Sequence, residues 1–303
     1  MSTSHLKVAI VKDLVNHSVA TALALDHVGH ILDSRNATKA QVKKWLLSGR
    51  EDYPASGKLS VAYNSSMFAL ILGTYTGEDS GIDALLTALQ HFPSTSKYAE
   101  FQDSFPVDTG AILPVAIALG YALALHREFD YATQCMILDS YFDVFQISEA
   151  ERETGTAIAL LIHRLVYGGY FGSEYVYSLL EDSVLTHMEK ELLWIIETHP
   201  EYDRILEFPE DLVKNLPYSS RLFFYVVFYM LRVDTACNTG QVKSLPREQL
   251  VHLLTLDGIL KADAGFLYGA VCTVSEHKHP LVPKPLREAA PLLGVVHTSI
   301  GLI

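Results

Sequence analysis

Cysteine, positive charge and long apolar runs are all scarce in this chain. Three cysteines, Cys135, Cys237 and Cys272, are spread over 303 residues. Their odd number and wide spacing exclude a disulfide framework and leave no pair at zinc-ligand spacing. A reducing, cytoplasmic compartment is the expectation. Lys and Arg total 23 against 35 Asp and Glu, a formal net charge of -12. That balance lacks the basic face a phosphate-backbone binder needs, so no nucleic-acid partner is expected. The longest aromatic-rich run is "LFFYVVFYML", Leu222 to Leu231, between Arg221 and Arg232. It falls short of the roughly 20 apolar residues of a membrane span and reads as a buried helix, so no membrane partner is expected. The opening "MSTSHLKVAIVKDLV" breaks at Lys12 and Asp13, unlike a secretory signal.

Motifs that declare an activity are missing as well. There is no Gly-x-Ser-x-Gly elbow and no His-Glu-x-x-His pair. "SGKLS" imitates a phosphate loop without its upstream glycine spacing. His277 and His279 are two apart, which on a helix aims them to different sides; His27 and His30 can share a face with no third ligand type beside them.

What the chain does have is core and helix-end chemistry. It is 49% hydrophobic and 19% charged, enough apolar material for a sizeable interior. Turn-rich segments such as "TYTGEDSG", "HFPSTSKYAEFQDSFPVDTG" and "NLPYSS" separate stretches of helix length, and no alternating runs meet at two-residue hairpin turns. "TKAQVKKWLL" starts a helix at Thr38. "SEAERETGTAIALLIHRLVYGG" pairs Ser148 with Glu151 as a capping box and stops on Gly168 and Gly169. "AILPVAIALGYALAL", Ala111 to Leu125, is apolar nearly all round, as a helix at the centre of a bundle must be. No fixed-period repeat is visible. The expected fold is all-α, a compact multi-helix bundle forming one domain over residues 1–303.

Carboxylates are plentiful but not paired at close spacing. The candidates for chemistry are Asp108 in "PVDTGA" and Asp257 and Asp263 in "TLDGILKADAGFLYGA". The last two are six apart, so a continuous helix separates them, whereas a break near Gly258 brings them together. Helix capping is the competing role for Asp108 and Asp257. Asn64, Ser65 and Ser66, directly before the apolar "MFALIL", also suit a helix cap.

Four stretches together resemble the ADP-ribosylhydrolase superfamily, and within it the branch of J-type crystallins and their enzyme-like relatives. "KVAIVKDLVNHSVATALALDHVGHIL" is similar to the first helix, where the family has Ala-Ala-Ile-Val-x-x-Leu-Val-x-Asp-Ala-Ala. "GKLSVAYNSSMFALIL" is similar to the segment carrying Thr-Asp-Asp-Thr in hydrolases and Ser-x-Tyr-Gly-Asp in crystallin-like members. "PVDTGAILPVAIALGYA" resembles the segment lining the crystallin-like cleft. "ETGTAIALLIHRLVYGG" and "LDGILKADAGFLYGAV" resemble the later helices, the last of them the motif Gly-Gly-Asp-x-x-x-Arg-Ala or Gly-Asp-Thr-Asp. The resemblance implies an all-α ADP-ribosylglycohydrolase-like fold. It implies a cleft at Asn16, His17, Tyr63, Asn64, Ser65, Ser66 and Asp108, with metal candidates Asp257 and Asp263.

The departures from the family bear on activity. Asn16 and His17 stand where the first helix has its aspartate, and Tyr63, Asn64, Ser65 and Ser66 stand at Thr-Asp-Asp-Thr. The motif arginine reads as Ala264 or Lys261. Active members hold two magnesium ions with carboxylates at helix starts, and charge largely sets the affinity of such sites. The expectation is therefore a binding or structural protein with a decayed dinuclear site and no cofactor. An ADP-ribose-like ligand or self-association into a homo-oligomer is the partner implied. The alternative is a divergent magnesium-dependent hydrolase of ADP-ribosyl or related glycosidic bonds, using Asp108, Asp257 and Asp263.

Overall fold

A computed structural model describes residues 22, 29, 33, 36–38, 40–41, 82–94, 112–125, 130–168, 214–215, 218, 221–222, 224–225, 254–256 and 258–275. Among the described residues the regular structure is helical, with no strand. The elements are α1 (Ile82–His91), a 3₁₀ turn (Phe92–Ser94), α2 (Ile112–Leu125), α3 (Tyr131–Val144), α4 (Glu149–Gly168) and α5 (Lys261–Ser275). Ala22, Gly29 and Asp33 are also helical.

α2 is the centre. Val115, Ile117, Leu119 and Tyr121 have no exposed surface. α4 packs most extensively against it, and α3 and α5 also touch it. An all-apolar helix has no solvent side to offer, so neighbours must surround it. Gly120 sets the closest approach: a Cβ there would lie 2.5 Å from the Ala159 carbonyl oxygen of α4 and 2.7 Å from Ile162 Cβ. Gly155 does the reverse job on α4, leaving room for Ile112 and the Phe142 ring. The Tyr121 hydroxyl, deep in this core, donates to the Ala270 carbonyl of α5 at 2.8 Å. A buried phenol without such an acceptor would be costly.

The helix ends follow local chemistry. Thr38 and Gln41 form a capping box, with the Gln41 side chain accepting from Thr38 N at 2.8 Å and Gln41 N reaching the Thr38 hydroxyl at 3.4 Å. α1 begins one residue after "TYTGEDSG", has Asp83 in its first turn and His91 in its last, and buries Leu85 and Leu89. Phe92–Ser94 then tightens the chain around Pro93, with the Ser94 hydroxyl donating to His91 O at 2.7 Å. Asp130 caps α3 by accepting from Thr133 N at 2.9 Å, and this bond lowers its carboxyl below the usual range.

α3 closes in a Schellman arrangement: Ile147 N donates to Phe142 O and Gln146 N to Asp143 O. Its left-handed residue is Gln146, at φ 55°, where glycine is usual. Arg152 braces the same corner, with Nε donating to Ile147 O at 3.2 Å and Nη2 to Asp143 at 2.6 Å.

α4 runs over the expected span and ends on Gly168. At its start the Ser148 hydroxyl donates to the Glu151 carboxylate at 2.8 Å, while the Ser148 carbonyl accepts from Glu151 N and Arg152 N. The "LFFYVVFYML" segment is buried and helical at Leu222, Phe224 and Tyr225. The helical conformation is present already at Tyr218, inside the segment read as a turn; Lys214 and Asn215 hold the turn instead.

Candidate functional site at the start of α5

The start of α5 gathers polar groups from three distant stretches of sequence. The chain enters through Gly258, whose φ is +70°, and α5 begins at Lys261. No continuous helix therefore runs from Gly258 to Asp263. Leu260 occupies the N-cap position, its carbonyl accepting from Ala264 N at 3.0 Å. A leucine side chain has no acceptor, so the first N–H groups of α5 need one from elsewhere.

Asp33 supplies it. Its Oδ1 accepts from Lys261 N at 3.1 Å and its Oδ2 from Ala262 N at 3.2 Å. Lys261 Nζ lies 3.3 Å from Asp33 Oδ1, in a pair that is roughly three-quarters or more buried on each side, at 20% and 24% exposure. Gly29, one turn before Asp33, makes the approach feasible. A Cβ on it would stand 2.3 Å from the backbone of Ala262 and from the Lys261 carbonyl.

Asp263, the third residue of α5, accepts a hydrogen bond from the Tyr218 hydroxyl. Burial raises the Tyr218 hydroxyl above the ordinary value of 10.0, and the Asp263 charge and the hydrogen bond push it further the same way. The phenol therefore stays neutral and donating at physiological pH. The Arg221 guanidinium stands 5.7 Å from the centre of the Tyr218 ring, within cation–π range. The two residues are both helical and three apart in sequence, a spacing at which helical side chains are neighbours. Arg221 also reaches the turn: a Cβ on Gly258 would come within 2.9 Å of its Nη1. The Arg221 Nε is buried with no hydrogen-bond partner.

Two carboxylates and two cations balance at this helix start. The positive end of the α5 dipole favours Asp33 and Asp263, and Lys261 compensates Asp33 directly. Both carboxylates already accept from protein donors. In this arrangement neither carboxylate stands open to a cation. Asp33 shares its oxygen with an ammonium, which repels a divalent ion, and Asp263 is engaged by a phenol. Among the described residues, no group of three or more His, Cys, Asp or Glu is placed to hold a metal.

Asp263 is the one residue of the sequence-derived set among the described residues. Asn16, His17, Tyr63, Asn64, Ser65, Ser66, Asp108 and Asp257 lie outside them. At α5 the first N–H groups are capped by Asp33. Asp33, Tyr218 and the ring contact of Arg221 were not foreseen. A signal for Asp33 was available in part: Leu260 precedes the helix without an acceptor, which calls for a remote one.

No family model, curated protein or solved structure matches this chain.

Proposed function

We propose that this chain is a binding or structural protein on an ADP-ribosylhydrolase-like helical scaffold whose dinuclear magnesium site has decayed. The observation that supports this reading most is the use of Asp33 and Asp263. Each acidic side chain at the α5 start holds one helix to another rather than standing ready for an ion. The neutral residues at the matched family positions, Asn16, His17, Asn64, Ser65 and Ser66, point the same way. Magnesium gives up its waters reluctantly even to charged ligands, and neutral oxygens would hold it weakly. The partner in this reading is an ADP-ribose-like small molecule or a second copy of the chain.

One observation favours the hydrolase alternative. The break at Gly258 removes the continuous helix that would keep positions 257 and 263 on different faces. In that reading Asp108, Asp257 and Asp263 serve a magnesium-dependent hydrolysis.

Calorimetric titration with magnesium, run beside hydrolysis assays on ADP-ribosylated arginine and serine peptides, separates the two. The expected result is no tight two-ion binding and no metal-dependent turnover. Micromolar binding of two ions with metal-dependent turnover overturns the first reading and establishes the second. Titration with ADP-ribose in a metal chelator, together with sedimentation of the free protein, then distinguishes ligand binding from self-association.

A further inference from the structure

We draw no further inference here: the strongest candidate, the cluster of Asp33, Asp263, Tyr218 and Arg221 at the N-terminus of α5, belongs to the site already described and is an acidic helix start with no second observation that points to a ligand.

Discussion

Gln146 takes a backbone conformation that side chains with a Cβ resist. At φ 55° its Cβ crowds the following carbonyl, a cost of about 1 kcal/mol that glycine does not incur. Gln146→Gly is therefore expected to be more stable than Gln146→Ala by about 1 kcal/mol. The alanine variant removes the same side chain without relieving the backbone. Denaturant midpoints of the two variants are the measurement, and equal midpoints would show that the left-handed residue bears no strain. Asp130 offers a different single-residue test. Its hydrogen bond from Thr133 lowers the carboxyl below the ordinary 3.8. The unfolded chain then takes up the proton first as pH falls, so this contribution is whole above that value and lost below it. Asp130→Asn keeps an acceptor at the cap but cannot titrate. Its stability is expected to fall less steeply than the native protein's below about pH 4.

At the scale of the helix, ends written in adjacent residues were legible and ends written across the chain were not. Ser148, Glu151 and Gly168 announce α4 because a cap and a stop act within one turn of the backbone they serve. α2 was legible for a related reason. Fourteen residues with almost no polar side chain admit only an interior position. The start of α5 depends on a carboxylate 228 residues away, and no periodicity encodes that distance. Of the candidate site, the sequence singled out Asp263, though as a metal candidate rather than as the acceptor for a tyrosine hydroxyl, while Asp33 and Tyr218 needed the tertiary arrangement.

The same element carries two measurable consequences. Asp33→Ala removes the acceptor for two backbone N–H groups and is expected to cost about 2 kcal/mol. Asp33→Asn keeps one acceptor oxygen but loses the ion pair with Lys261, and about half that cost is expected. Chemical denaturation of both variants checks the order; an alanine variant as stable as the native protein removes Asp33 from the cap. Tyr218 adds a pH signature. The folded state holds its proton more tightly than the unfolded chain, so its stabilisation is complete below pH 10.0 and declines as the pH rises further. Tyr218→Phe is expected to flatten the alkaline decline of unfolding free energy, while costing about 1–2 kcal/mol near neutrality through the bond lost to Asp263.

Across the whole molecule, two glycines fix how closely helices meet. Gly120 sets α2 against α4, and Gly29 sets the N-terminal helical segment against the first turn of α5. At Gly29 the atoms in the way are all backbone, which cannot rotate aside; at Gly120 they are the Ala159 carbonyl oxygen and the branched root of Ile162, whose Cβ is fixed by its own backbone. Gly29→Ala and Gly120→Ala are each expected to cost about 3 kcal/mol, at the upper end for added bulk in a packed interior. A thermal midpoint lowered by only a degree or two in Gly29→Ala would mean that the two segments separate without loss. The Gly29 and Asp33 contacts also impose a timetable during synthesis. A ribosome adding about 5–20 residues per second needs roughly 10–50 s to pass from Asp33 to its partner at Lys261. Throughout that interval the α5 partner of Asp33 and Gly29 does not yet exist. The contacts of Gly29 and Asp33 with α5 therefore have to wait until α1 to α4 have been synthesised.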